Sequence, residues 1–311
     1  MQKIKSEIKS RQDGLGVFVL TVLPQMEQGM QCRGIVQILH GMSEYKERYL
    51  PFMEYLAEKG FVAVIHDHRG HGASVRSRED LGYMYGGGTE AFLDDILQVN
   101  EEMHKKFPKV PLILFGHSMG SLAARAFTRR YDDKIDALIL SGSPSRNPAR
   151  AVGTVIAKLQ RQLFGKRHPS KLLEGLSFGS YAAKFKDEES IFSWVCSAPE
   201  VVEEYDKNPL CGFTFTTDAY LVLFELMKQA YAKKGWQCAR PDMPILFVGG
   251  ADDPCIGGPR KYADALMHMR LAGYRNVKGK LYPGMRHEIL NEREKKKVFR
   301  DINAFLRKNG L

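Results

Sequence analysis

The 311-residue sequence predicts an α/β chain: a mostly parallel central sheet with helices on both faces and an inserted, mostly helical cap. Three observations predict it. Short runs rich in apolar and β-branched residues alternate with stretches of helical periodicity. The runs are continuously apolar rather than alternating, as in strands buried on both faces. The alternation breaks once, over about residues 145–240, and then resumes. The domain reading is therefore a core in two pieces, residues 1–144 and 241–311, with the cap at 145–240.

In chain order, residues 15–22 and 34–39 (Ile35, Val36, Ile38, Leu39) read as strands between turn signals. Tyr49, Phe52 and Leu56 recur at helical spacing over 46–59, and Gly60 suits a C-cap. Phe61–Ile65 has strand length. Phe92, Ile96, Val99 and Met103 share one face of a helix over 91–107, which Pro108 stops. Strand Leu112–Phe115, helix 118–130 and strand Ala137–Leu140 follow. In the middle region Val152–Leu163 and Asp218–Tyr231 read as helices, while Phe178–Phe185 and Phe192–Cys196 are rich in aromatic and small residues. Strand Ile245–Val248, helix 259–272 closed by Gly273, strand 277–282 and helix 291–308 complete the chain. Met1–Ser10, charged with isolated Ile, is assigned no element.

Hydrophobic content of 44% and charged content of 26% are those of an ordinary globular protein. No apolar run approaches the roughly 18 residues of a membrane-spanning helix, and the N-terminus has no apolar stretch of signal-peptide length, so a cytoplasmic location is expected. Five cysteines at wide spacing, with no CxxC, read as free thiols rather than a disulfide or zinc framework. The net charge of +10 reads as a solvated basic surface and leaves open a transient contact with an anionic membrane surface. The basic clusters Lys166-Arg167-His168 and Lys295-Lys296-Lys297 lack interleaved aromatics, so no nucleic-acid partner is expected.

Gly116-His117-Ser118-Met119-Gly120 falls between a strand and a helix. This is the context of the G-x-S-x-G nucleophile elbow, in which a tight turn lifts a serine hydroxyl clear of the sheet and glycines avoid backbone collision. A serine needs a base, and the base an orienting acid, in the chain order Ser, acid, His. Of the three histidines after Ser118, His168 lies in the cap, His268 inside a helix, and His287 in the loop after the last strand, where the base should stand. The acid belongs after strand Ile245–Val248, where Asp252 and Asp253 compete; neighbours in an extended segment point opposite ways, so only one can face His287. Asp253 is favoured and Asp252 is the fallback. The backbone N–H groups of Met119 and of Met42, in the loop His40-Gly41-Met42-Ser43-Glu44, are the candidate oxyanion donors.

His40-Gly41, Asp67-His68-Arg69-Gly70-His71-Gly72-Ala73-Ser74, Gly116–Gly120, Gly250-x-x-Asp253 and Tyr282-Pro283-Gly284-Met285-Arg286-His287-Glu288 together resemble the monoacylglycerol lipase and lysophospholipase branch of the α/β hydrolases, also called serine aminopeptidase-like hydrolases. The resemblance spans nearly the whole chain outside the cap. It implies the α/β-hydrolase fold, an acid three residues after Gly250, and cofactor- and metal-free hydrolysis of carboxylic esters, often monoacylglycerols or lysophospholipids. The expected partner is thus a small ester, lipid in character; the oligomeric state is left open.

Other readings of the same residues compete. His66-x-His68-x-x-His71 invites a metal reading, but Gly70 stands where such sites carry an aspartate, and the resemblance makes this a structural loop. A non-catalytic binding protein on the same fold would be expected to lose a triad member, and each has a candidate here. An aminopeptidase needs an anion for the substrate amine; Glu200, Glu203, Glu204 and Asp206 in the cap are the candidates, with solvated charge as the plain alternative. Leu221, Leu223, Phe224, Leu226 and Met227 suggest an acyl tunnel, with ordinary core packing favoured. Cys255 reads as a small buried hydrophobe rather than a reactive thiol.

Overall fold

The computed structural model describes residues 1–25 and 32–311. Eight strands form one sheet: β1 (Gln2–Lys9), β2 (Gly16–Leu23), β3 (Gly34–Leu39), β4 (Phe61–His66), β5 (Leu112–His117), β6 (Ala137–Ser141), β7 (Ile245–Gly250) and β8 (Val277–Tyr282), in the spatial order β1-β2-β4-β3-β5-β6-β7-β8. The β1–β2 and β2–β4 pairs are antiparallel; the remaining pairs are parallel.

The parallel strands alternate side chains between two cores. Ile35, Leu112, Leu114, Leu138, Leu140, Ile245 and Phe247 face one. Val36, Ile38, Ile113, Phe115, Ala137, Ile139, Leu246 and Val248 face the other. The first core is closed by α2 (Gly88–Lys106), α3 (Met119–Tyr131), α7 (Thr217–Ala230) and α8 (Pro259–Leu271). The second is closed by α1 (Leu50–Glu58) and α9 (Lys295–Lys308). Burial on both faces is why these strands read as unbroken apolar runs.

Three expectations are corrected. Residues 46–59 do not form one helix: Lys46–Tyr49 is a 3-10 turn, and α1 starts at Leu50 with Pro51 in its first turn, a position where the missing N–H costs nothing. The last helix starts at Lys295 rather than 291, because residues 288–294 form turns around the buried Glu288 and Glu292. Gln2–Lys9 is a strand. It pairs with β2 along its full length while remaining exposed, so it carried no burial pattern to read. Its lysines also blunt a free edge against pairing with other chains.

Between β6 and β7 the chain builds α4 (Arg150–Phe164), α5 (Lys171–Ala183), α6 (Pro199–Lys207) and α7, with one isolated bridge, Pro169 to Thr216, and no strand. Leu223, Phe224 and Leu226 on α7 are buried in the first core against α3, so packing accounts for that apolar stripe. A third cluster, Trp194, Val195, Cys196, Ala198 and Val202, gathers Phe178, Tyr181, Phe185 and Phe192 around it. No helix among the described residues is long and apolar enough to cross a membrane.

Candidate active site

β5 runs through the middle of the sheet and delivers the chain to Ser118, which sits at φ 51° and ψ −118° between β5 and α3. That conformation is costly for any residue with a Cβ and persists only where the surroundings enforce it. Here they do. The Ser118 N–H donates to Ser141 O at 2.9 Å, and Ser118 O accepts from the Ser121 N–H and hydroxyl at 2.9 and 2.6 Å. A Cβ on Gly116 would lie 2.4 Å from Gly120 O, and one on Gly120 would lie 2.2 Å from Leu39 O. Both glycines are therefore required by backbone contact, the second by contact with the end of β3.

The loop after β3 lies against this turn. A Cβ on Gly41 would be 3.3 Å from Ser118 Cβ. Among the described residues, neither the Met42 nor the Met119 N–H donates to a protein acceptor.

His287 follows β8 in a loop, buried, with its ring 4.7 Å from the ring of His117 beside Ser118. Its Nδ1 is 2.8 Å from Asp253 Oδ2. An ionised carboxylate only accepts, so the proton is on Nδ1, and Nε2 of the neutral ring is an acceptor. Burial opposes the cation, but Asp253, with Glu288 and Glu44 adding to it, raises the His287 pKa above its ordinary value. The other Asp253 oxygen accepts the Cys255 N–H at 2.8 Å. A Cβ on Gly250 would come within 2.1 Å of the Met285 and Arg286 carbonyls, so the loops carrying Asp253 and His287 meet backbone to backbone. Asp252 donates its N–H to Met285 O at 3.0 Å, yet its side chain is exposed while that of Asp253 is buried.

Several participants escaped the sequence reading. Arg48 grips Glu288 with two bonds of 2.5 and 2.6 Å and reaches Glu44 at 2.9 Å, tying the loop after β3 to the His287 loop. Glu44 and Arg48, spaced i and i+4 after His40-Gly41, were the available signal. Trp194 packs on His287 at 5.1 Å between ring centroids and stacks on Phe178. The Val195 carbonyl accepts the Glu288 N–H at 2.8 Å, so the segment between β6 and β7 seats directly on the His287 loop.

Other candidates lie elsewhere. His66, His68 and His71 pack with His40, their rings 4.2 to 6.3 Å apart, and burial holds all four neutral. His168 packs on Phe164 in the insertion, and His268 sits between Tyr231 and Trp236 with its pKa lowered by burial to about 4. Glu200, Glu203, Glu204 and Asp206 are exposed, two of them paired with Arg293 and Lys207. The Cys255 thiol is buried and pushed up by burial and by Asp253. Among the described residues, two groups have ligand atoms mutually within 4.8 Å: Asp253, Cys255 and His287, and Glu44, His117 and Glu288. The first is held together by the carboxylate–imidazole bond; in the second, Arg48 supplies the cation.

With this geometry in view, the similarities of the chain are informative. The sequence profile described as serine aminopeptidase, S33, matches residues 30–294. The monoacylglycerol lipase of Mycolicibacterium smegmatis is 29% identical over 280 residues, 88% of each chain. The phospholipase YtpA of Bacillus subtilis is 25% identical over 276 residues, 87% of this chain and 94% of its own. A thermostable carboxyl esterase from Bacillus coagulans superposes with a TM-score of 0.91 at 24% identity, covering all of both chains.

Proposed function

The chain belongs to the serine aminopeptidase family of α/β hydrolases, and from that membership we propose that it is a carboxylic ester hydrolase acting on monoacylglycerols or lysophospholipids through Ser118, His287 and Asp253. The observation that carries the reading is the 2.8 Å bond from His287 to Asp253, on loops that converge on the strained turn of Ser118. His287 removes the Ser118 proton as the hydroxyl attacks the ester carbonyl. The Met42 and Met119 amides stabilise the oxyanion. His287 then protonates the leaving alcohol and later activates water, while Asp253 holds the tautomer and stabilises the cation.

The lipid class is supported by the likeness to a monoacylglycerol lipase and a phospholipase over most of their length and by the aromatic cluster of Trp194, Phe178 and Tyr181 beside His287. The inserted residues 145–240 act as a cap over the site. On α4, Val152, Val155, Leu159 and Leu163 are exposed, with Lys158 and Lys166 near them in the chain; an apolar stripe with basic flanks suits transient contact with an anionic lipid surface. The exposed cap acids argue against an aminopeptidase, which needs a fixed anion facing the substrate amine. The test is fatty-acid release from a medium-chain monoacylglycerol. Release by the wild type and none by Ser118→Ala supports the proposal; equal release by both removes Ser118 from it.

A further inference from the structure

We propose that Glu44 is the positioning residue of the oxyanion loop, and that it must be ionised for turnover. The inference rests on the ester-hydrolase reading and concerns the same site. Two bonds fix Gly41. Its N–H donates to Glu44 Oε1 at 2.5 Å, and its carbonyl accepts from His40 Nδ1 at 2.8 Å. In a trans peptide the C=O and the following N–H point opposite ways, so anchoring the Gly41 carbonyl on His40 aims the Met42 N–H in the other direction. Glu44 thus orients one peptide of this turn and His40 the next, and the turn itself touches Ser118.

The surroundings of Glu44 are built for a carboxylate. Its partners are the Gly41 N–H, the Tyr49 hydroxyl at 2.9 Å and the Arg48 guanidinium at 2.9 Å. A proton on Oε2 would face Arg48. A proton on Oε1 could go only to the Tyr49 oxygen, by reversing that bond, and would leave the Gly41 N–H on a hydroxyl instead of a carboxylate oxygen. Protonation therefore loosens the turn. The charged and titratable groups around Glu44 are Arg48 and Tyr49 from the turn before α1, His117 from β5, His287 and Glu288 from the base loop, and Tyr205 and Cys211 from the insertion. Burial raises the Glu44 pKa, Arg48 pulls it back and Glu288 raises it again, leaving it at about 7. Glu44 thus changes charge near neutral pH.

Both groups lose their working form as pH falls: Glu44 gains a proton it must not carry, and His287 ceases to be a base. The pH dependence of kcat/KM for ester hydrolysis tests this. In the wild type the acid limb should reach a limiting slope of two in log kcat/KM against pH. In Glu44→Gln, which mimics the protonated carboxyl, it should fall to one, with kcat lowered about 100-fold or more and KM nearly unchanged. Tyr49→Phe removes a donor that favours the carboxylate, so one midpoint of its limb should move to higher pH. That variant keeps Glu44 and decides the matter should Glu44→Gln not fold. A slope of one in the wild type, a slope of two surviving in Glu44→Gln, or an unmoved limb in Tyr49→Phe overturns the inference while leaving the ester reading intact. Absence of ester turnover by the wild type at every pH overturns the ester reading and this inference with it.

Discussion

Asp253 Oδ2 and His287 Nδ1 stand 2.8 Å apart although 34 residues separate them in the chain, and the adjacent Asp252 side chain turns to solvent. Asp253→Asn should lower kcat about 10⁴-fold, because an amide cannot hold the same imidazole tautomer. Asp252→Asn should stay within about twofold. Steady-state kinetics of the two variants checks this; the reverse ranking would move the acid to Asp252.

The pH dependence follows from the same pair. Asp253 raises the His287 pKa above about 6.5, so the base is lost as pH falls through that raised value. In Asp253→Asn burial is opposed only by Glu288 and Glu44, so the midpoint should fall below that of the wild type. NMR titration of the His287 Cε1–H measures both midpoints directly. A midpoint in the variant equal to or above that of the wild type would contradict the stated cause.

Gly120 has no space for a methyl group. A Cβ there would meet Leu39 O and His40 O at 2.2 and 2.5 Å, and both atoms are backbone. Gly120→Ala should therefore cost about 3 kcal/mol or more and displace the loop after β3, lowering Tm and activity together. A Tm within 2–3 °C of wild type, roughly what 1 kcal/mol shifts a chain of this size, would show that the turn yields more than its contacts imply.

Arg48 is the cation shared by Glu44 and Glu288. Arg48→Met leaves two buried carboxylates facing each other, a change expected to cost about 3–5 kcal/mol at neutral pH. The loss should shrink as pH falls and Glu44 takes up a proton. Urea unfolding at neutral and acid pH gives both numbers.

Much of this was legible in the residues. Strands buried on both faces show as apolar runs, and β3 lies where its run predicted, at 34–39. Ser118, His287 and Asp253 could be named as candidates because each sits next to a strand end with glycine nearby, and Gly116, Gly120 and Gly250 are where backbones touch. What escaped notice had no local signature. β1 exposes nearly every side chain, so no period appears. The bond from Arg48 to Glu288 spans 240 residues, and the seating of Trp194 on His287 depends on how the insertion folds back. Such contacts belong to tertiary structure, and single-chain patterns do not encode them.

β6 and β7 are hydrogen-bonded neighbours, with Leu138 opposite Ile245, although all of α4 to α7 lies between them. The insertion is a greatly enlarged crossover connection whose two ends are clamped side by side. Its length and composition are then free variables in evolution: helices can be added, lost or resurfaced without shifting the register that holds the strand ends of Ser118, Asp253 and His287. One scaffold can thus diversify over many ligands while its chemical centre stays unaltered.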